Sequence, residues 1–136
     1  MIIEINDSMS VAAIQEEFRS LYPFLKIEFY DIPHEWRELS PWRHRFAANA
    51  VIGAIRNKHG HGLMELHGSQ KVGEVEQAFR KHFGLNVQVF RKQGEYWIQT
   101  GGTDELTLEE QNAIGCQASI NHDYLAYSVT QQASLL

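Results

Sequence analysis

Three histidines lie close together in the middle of the sequence, and their side chains could bind a metal ion. His59 and His61 flank Gly60, and His67 follows six positions after His61. Imidazole is a common ligand of zinc, and a zinc site needs three or four converging ligands. These three residues are therefore a candidate metal site. The alternative is a solvated Gly-His turn, which the spacing favours because no cysteine or HExxH pair joins the histidines.

Aromatic rings and positive charges occur together in a second group of residues. Trp36, Trp42, Arg43 and Arg45 lie within ten positions of the chain, and Trp97 is the remaining tryptophan. Arginine binds phosphate groups, and an exposed tryptophan can stack on a nucleobase. These five residues predict a binding surface. In the alternative interpretation, Trp42 packs on a sheet and the arginines simply face water.

The sequence carries none of the familiar catalytic patterns. It contains no GxSxG elbow, no P-loop and no dinucleotide-binding fingerprint. The acidic pairs at 104–105 and 109–110 lie at a predicted helix start, where acids interact well with the helix dipole and need no catalytic role. The single cysteine, Cys116, has no cationic neighbour that would activate its thiol. We expect neither enzymatic activity nor a cofactor.

Composition and charge limit the classes of protein that the chain can form. It has 136 residues, of which 43% are hydrophobic and 21% charged, as in a single globular domain. A net charge of −5 does not favour nucleic acid or an anionic membrane as a partner of the whole surface. The lone cysteine excludes an internal disulfide, and no apolar run reaches transmembrane length. We expect a cytoplasmic protein without a membrane partner.

The first part of the sequence predicts a strand, a helix and a second strand. Residues 2–5 form a short run rich in isoleucine, and residues 25–30 alternate in polarity, which is typical of strands. Between them, apolar residues recur at i, i+3 and i+7, the spacing of one helix face. Pro23 ends this helix because proline has no backbone N–H to donate.

The segment 64–100 repeats this pattern. Gly84 ends its helix where Pro23 ends the first, and a Gln93-Gly94 turn adds a further strand at 96–100 as a hairpin partner. The apolar helix positions lie at one constant offset, and the matched pairs are Val11 with Val72, Ile14 with Val75, and Phe18 with Phe79. Duplication of one unit explains this match better than the spacing that all such units share.

Two further elements are predicted outside the repeated units. Ser40-Pro41 is a strong helix start, and we predict an inserted helix over 41–57, although Val51-Ile52 would also suit a strand. A capping box at 107–110 opens a short C-terminal helix that Gly115 would end. The tail at 120–136 is predicted either to pair with a sheet edge or to be loosely ordered.

Together these elements predict an α+β fold in one domain. Two βαβ units in series would form a split βαβ, ferredoxin-like sandwich, with both helices on one face of a shared, mainly antiparallel sheet. The predicted boundaries are a βαβ unit at 1–31, an insertion at 32–62, a βαββ unit at 63–100, and a C-terminal helix with its tail at 101–136. The inserted helix, the tail or a second subunit would cover the other sheet face.

A distinctive run of residues covers the second unit and the start of the C-terminal helix. It reads FGLNVQVFRK at 83–92, followed by Gly94, Trp97, TD at 103–104, TLE at 107–109 and QN at 111–112. Over about 71–115 the chain resembles a family of small uncharacterised bacterial proteins that carry this signature. The family has no established activity, so the resemblance implies no catalytic residue.

These observations favour a non-catalytic binding or assembly module that acts as a homodimer. Its working surface would contain the five aromatic and basic residues named above. The alternative is a nucleic-acid-binding protein that uses the same stretch from Trp36 to Arg45. The third hypothesis is metal or small-ligand binding at the loop of His59, His61 and His67.

Overall fold

The computed structural model of the protein describes residues 1–34 and 39–134. Its strands are β1 (Ile2–Ile5), β2 (Leu25–Tyr30), β3 (Gly62–Glu65), β4 (Asn86–Gln93) and β5 (Tyr96–Gln99). Its helices are α1 (Val11–Leu21), α2 (Ile52–Ile55), α3 (Val72–Phe83) and α4 (Leu108–Ser134), with 3₁₀ turns at Trp42–His44 and Gly101–Thr103. The predicted α+β class, with two βαβ units in series, is confirmed.

The strands pair between the two halves of the chain. β1 pairs antiparallel with β3, and β2 pairs antiparallel with β4, which is joined in turn by the hairpin strand β5. The described strands thus form two sheets, one of two strands and one of three. This arrangement corrects the expectation of a single sheet shared by both units. Each half alone would leave its strands without the partners that complete their ladders.

Side chains of the long helices bond to the backbones of β2 and β4. The side chain of Gln15 in α1 donates a hydrogen bond to the backbone oxygen of Ile27 in β2 (2.8 Å). In the second half, the carboxyl group of Glu76 in α3 accepts a hydrogen bond from the backbone N–H of Val89 in β4 (2.8 Å). Backbone groups that a neighbouring strand would use are therefore already satisfied by helices.

A backbone pairing that repeats in both halves holds the start of each long helix. In each half, the backbone N–H of the first residue of the long helix donates a hydrogen bond to a segment further along the chain. The first residue of the following helix donates a backbone hydrogen bond in return, to the residue two positions before the long helix. The donor and acceptor pairs are Val11 to Ala50 (2.8 Å) and Ile52 to Met9 (2.8 Å), then Val72 to Leu106 (2.9 Å) and Leu108 to Gln70 (2.9 Å). The short helix α2 is therefore the counterpart of α4, and the repeat extends beyond the units seen in the sequence.

The apolar stripes of α1 and α3 meet strands of both sheets in one core. All six residues of the two predicted stripes are fully buried. Phe79 in α3 contacts Phe29 in β2 edge to face, with ring centroids 6.4 Å apart. The strand residues of this core include Ile3, Ile5, Leu25, Ile27, Met64, Val87 and Val89. The core prediction from helical periodicity is confirmed.

Two predicted helix-end signals are confirmed, the stop at Gly84 and the capping box at 107–110, and Ser10 adds a third. Ser10 caps α1, since its Oγ accepts a hydrogen bond from the N–H of Ala13 (3.1 Å). Gly84 ends α3 with a φ of +65°, a conformation that residues with a Cβ rarely adopt. At the start of α4, Thr107 and Glu110 exchange two hydrogen bonds of 3.1 Å in a capping box.

The inserted helix predicted over 41–57 is wrong in extent. This segment contains the 3₁₀ turn at Trp42–His44 and the four residues of α2, joined by non-helical chain. Arg45 forms a β-bridge with Tyr30, and the N–H of Phe46 donates to the oxygen of Phe29 (2.7 Å). These backbone groups cannot also join a helical ladder, so tertiary pairing overrides the helical pattern of the sequence.

The C-terminal helix is longer than predicted. α4 has 27 residues, so the stop at Gly115 and the edge strand or loose tail are wrong as far as Ser134. Gly115 instead permits close packing, because a Cβ there would lie 2.9 Å from the Cβ of Phe24 and 3.0 Å from its carbonyl oxygen. None of the helices in the described part of the chain is long and apolar enough to cross a membrane.

Removal of the Phe79 ring tests the packing of α3 against the sheets. Phe79→Ala should lower the free energy of unfolding by about 3–5 kcal/mol, since the substitution leaves a cavity in a fully buried site. Urea denaturation measures the change. The exposed control Gln77→Ala, on the same helix, should stay within about 0.5 kcal/mol of the wild type. A loss below roughly 1 kcal/mol for Phe79→Ala would contradict the packing.

Candidate functional site

Trp97 in β5 lies at the centre of a patch of aromatic rings and cations. Three cations lie near its ring: Arg19 Cζ is 5.0 Å from the ring centroid, Lys26 Nζ is 5.1 Å away and Lys92 Nζ is 6.0 Å away. These distances allow attraction between a cation and the face of an indole ring. Because Trp97 is partly exposed, solvent reaches the patch.

The patch continues through two further rings. Lys26 Nζ also lies 5.3 Å from the ring centroid of Phe90, which meets Trp42 edge to face with centroids 6.3 Å apart. Arg45 lies over Trp42, with its Cζ 3.7 Å from the ring centroid. Phe90 is buried, whereas Trp42 is 54% exposed. We call this set the cation–aromatic face, and its members are Arg19, Lys26, Trp42, Arg45, Phe90, Lys92 and Trp97.

Strand register puts much of this set on one side of the β2–β4–β5 sheet. Lys92 is the direct partner of Trp97, and Lys26 is the direct partner of Phe90. Residues directly opposite each other in paired strands share a face of the sheet. The neighbouring residues of β2 point to the opposite face and fill the core.

The segment 39–46 brings Trp42 to the same face. The side-chain amide of Gln99 in β5 accepts a hydrogen bond from the N–H of Ser40 (2.8 Å) and donates one to its carbonyl oxygen (2.9 Å). At the other end of the segment, Arg45 bridges Tyr30 in β2. The chain is thus held at both sides of the sheet. Part of the sheet face that was expected to be open is covered by this inserted segment.

One buried carboxylate offsets part of the positive charge. Glu28 is 6% exposed, and its Oε1 lies 3.5 Å from Lys26 Nζ and 3.7 Å from an Arg45 terminal nitrogen. The face therefore holds four cations against this one carboxylate. Its local charge is positive, although the whole chain carries −5.

The structure brings together three of the five residues predicted for the binding surface. Trp42, Arg45 and Trp97 belong to the cation–aromatic face, and Arg43 is exposed beside Trp42 on the same 3₁₀ turn. Trp36 lies outside the described residues. The sequence analysis missed four members, although their outward positions in β2 and β4 and on α1 were a usable signal: Arg19, Lys26, Phe90 and Lys92.

Comparison with known proteins adds no family to this description. No protein family, curated protein or solved structure matches the chain. The resemblance of 71–115 to a family of small bacterial proteins stays a prediction.

The three histidines predicted as a metal site contact three different carboxylates. The pairs are His59 Nδ1 with Asp7 (3.3 Å), His61 Nε2 with Glu4 (3.0 Å) and His67 Nε2 with Glu65 (3.2 Å). All three imidazole side chains are more than half exposed. Exposed ion pairs of this kind contribute little to stability. A metal site at these histidines stays a prediction.

Next to His59, Asp7 forms an ion pair with a buried arginine. The Arg56 side chain is 2% exposed, and its Nε and a terminal nitrogen lie 2.9 and 2.8 Å from Asp7 Oδ1. Arg56 also donates to the backbone oxygens of Phe83 (3.0 Å) and Gly60 (2.6 Å). The Arg56 hydrogen bond, followed by that of the Gly60 N–H, holds the pKa of Asp7 below its usual value. This pair joins the turn before α1, the inserted segment and the end of α3.

A separate small pocket lies beside the first turns of α3. His34, Glu76 and Asp104 line a cavity of about 40 Å³, and one ligand-type atom of each lies within 4.8 Å of the other two. Burial, followed by the neighbouring carboxyl group of Asp104, raises the pKa of Glu76 well above its usual range, and the N–H of Val89 opposes this shift. Within residues 1–34 and 39–134, this is the group whose side chains could hold a metal ion.

The sequence analysis missed this pocket. Glu76 lies on the apolar stripe of α3, between Val75 and Phe79, and an acid on a buried stripe was a signal that could have been used. Asp104 was predicted only as an acid near a helix start, and the structure shows that it is fully buried. The N–H of Gly73 donates to its backbone oxygen (2.9 Å) and holds it against α3.

Replacement of Asp7 tests the ion pair with Arg56 through its pH dependence. A carboxyl group whose pKa is lower in the folded chain stabilises the fold above its unfolded pKa, near 4, and this contribution is lost as the pH falls through the folded value. Asp7→Asn should therefore lower the free energy of unfolding at pH 7. The difference from the wild type should shrink as the pH falls below about 4. Urea denaturation at several pH values measures both effects.

The matched control for this prediction is Glu4→Gln. It removes an exposed carboxylate that pairs with His61, and it should change the stability little at pH 7. A deficit of Asp7→Asn that is equally large at pH 7 and pH 3 would contradict the role assigned to the charge.

Proposed function

We propose that the protein is a non-catalytic binding module whose cation–aromatic face binds single-stranded nucleic acid. The observation that carries the proposal is the Trp97 ring with three cations within 6.0 Å of its centroid. A single strand offers phosphates to the cations and flat bases to the rings, and proteins that bind single strands combine these two features. The proposed setting is the bacterial cytoplasm, which fits a chain with one free cysteine.

The distribution of charge supports this choice of ligand. The whole chain is acidic, so its net charge does not attract polyanions. The face, in contrast, collects four cations around three aromatic rings. A polyanion would therefore be drawn to this surface and repelled from much of the remainder. Binding through so few cations should depend on salt, but less steeply than that of a strongly basic protein.

The exposure of the rings supports stacking. Trp42 is 54% exposed and Trp97 partly exposed, while buried Phe90 supports Trp42 from below. Lysine and arginine side chains are flexible enough to exchange a ring for a phosphate and so uncover the ring for a base. Stacking on an aromatic side chain contributes about 1–3 kcal/mol per base and does not discriminate strongly among bases. We therefore expect binding with little sequence preference.

Fluorescence anisotropy with labelled oligo(dT) and oligo(U) strands tests the proposed binding. Trp97→Leu should weaken binding about 5- to 150-fold, which corresponds to the loss of one stacked base. Lys92→Gln should weaken binding and reduce the slope of log affinity against log salt by about 0.7, since one phosphate contact is lost. Thermal melts check that both variants fold.

The matched control is Lys81→Gln, which removes one positive charge from an exposed position on α3, away from the face. It should bind like the wild type. Absence of binding at low salt would refute the proposal, and so would wild-type affinity in Trp97→Leu.

Self-assembly into a homodimer is a second candidate function, favoured by an apolar groove. The groove lies between the β4–β5 turn and α4, and its lining includes Tyr96, Ile114 and Leu125. These side chains are 74%, 40% and 63% exposed. Clustered apolar side chains in water are typical of surfaces that bind another protein. We propose that two copies associate through this groove about a two-fold axis.

Light scattering of the full chain at micromolar concentration tests the dimer. The wild type should have the mass of two chains, and Tyr96→Glu should shift it to one, because the new charge would be buried in the interface. Leu63→Glu, at an apolar position of β3 that is also more than half exposed, should leave the mass unchanged. A monomeric wild type would refute this candidate function and leave the nucleic-acid proposal standing.

A further inference from the structure

We propose that His34, Glu76 and Asp104 form a binding site for a divalent transition-metal ion such as Zn²⁺ or Mn²⁺. One imidazole and two carboxylates are ligands that these ions accept. Their ligand atoms lie within 4.8 Å of one another. An ion bound at 2.0–2.2 Å would bring them to roughly 3.4 Å, which small side-chain rotations can achieve. The site is distinct from the cation–aromatic face and from the exposed histidine loop.

Glu76 is the residue on which this site depends. Its Oε2 accepts the hydrogen bond of the Val89 N–H (2.8 Å), which fixes the orientation of the carboxyl group. Its Oε1 is buried and lies 3.6 Å from His34 Nε2, and its carboxyl group is hydrogen-bonded to that of Asp104, which requires a proton shared between them. Two buried carboxyl groups in contact cannot both be ionised unless a cation takes the place of that proton. A bound divalent ion would replace the shared proton.

His34 approaches Glu76 from the segment after β2. Its Nε2 lies 3.6 Å from Glu76 Oε1 and 3.1 Å from the backbone oxygen of Val87, and its side chain is 9% exposed. A neutral imidazole nitrogen is a good ligand for zinc and related ions. On binding, this nitrogen would exchange its contact with Val87 for the metal.

The internal repeat shows that neutral residues can occupy the positions of the two acids. The position in α1 equivalent to Glu76 holds Gln15, whose side chain also binds the backbone of a strand. The backbone oxygen of Asp104 accepts from the first turn of α3, as that of Ala48 accepts from the first turn of α1. The first half thus forms the same structure with neutral residues. In the second half the same positions hold two carboxylic acids, which are ligands for a divalent ion.

The cavity leaves room for the remaining ligands. Its volume of about 40 Å³ exceeds the roughly 10–15 Å³ that one water needs. Water would complete the coordination of an ion held by three protein ligands. Among the described residues that line the cavity, Arg80 carries a positive charge that would repel a metal ion. Its side chain is exposed and can turn toward solvent, away from the ion.

Metal analysis and thermal melts of the full chain, purified without a histidine tag, test the site. The wild type should retain stoichiometric metal, and Zn²⁺ or Mn²⁺ added after EDTA treatment should raise its Tm, because an ion that binds only the folded chain stabilises it. Glu76→Gln should lose both responses. Glutamine is the residue at the equivalent position of the first half, Gln15. Its side-chain amide oxygen can still accept the hydrogen bond of the Val89 N–H.

Two controls make the outcome decisive. Glu74→Gln, exposed on the same helix, should respond to metal like the wild type. If Glu76→Gln does not fold, His34→Gln decides by the same measurements. A wild type without bound metal and without a rise in Tm would overturn the proposal. A response that survives both Glu76→Gln and His34→Gln would also overturn it, because the ions would then be bound by the exposed histidines.

Discussion

Neither half of this chain can complete a sheet by itself, and this constraint shapes the rest of the molecule. β1 pairs with β3, and β2 pairs with β4, so partner residues are more than 50 positions apart in the sequence. The backbone bonds at the helix starts add the same kind of long connection within each half. Such pairing brings loop-closure costs that are recovered only when both halves are in place. We therefore expect the two halves to fold as one cooperative unit.

The exchange of strands between halves also creates the cation–aromatic face. β2 comes from the first half, and β4 and β5 come from the second, so Lys26 and Trp97 meet only because the halves pair. The segment 39–46 then crosses from Gln99 to Tyr30 and adds Trp42. A surface built from three distant parts of the chain is held by backbone hydrogen bonds, which gives its rings and charges a defined spacing.

The two halves share a backbone plan but differ in the chemistry of equivalent positions. Gln15 and Glu76 both reach from a helix to the backbone of a strand. Only the second of them is an acid, and it lies beside a second buried acid, Asp104. A repeat of this kind lets one copy keep the structural role while the other acquires a further one. The first half thereby serves as an internal reference for what the fold itself requires.

The sequence by itself determined the helical stripes, the helix end at Gly84, the capping box at 107–110, the hairpin turn and the repeated pattern of the two halves, because local periodicity and capping chemistry specify these features. It also identified Trp42, Arg45 and Trp97. Only the tertiary structure decided which strands pair, that 45–51 is not helical, and that Gly115 lies inside a long helix. These outcomes depend on contacts between residues far apart in the chain, such as Gly115 with Phe24. For the same reason, no local pattern placed Lys26 over Trp97 or Glu76 beside Asp104.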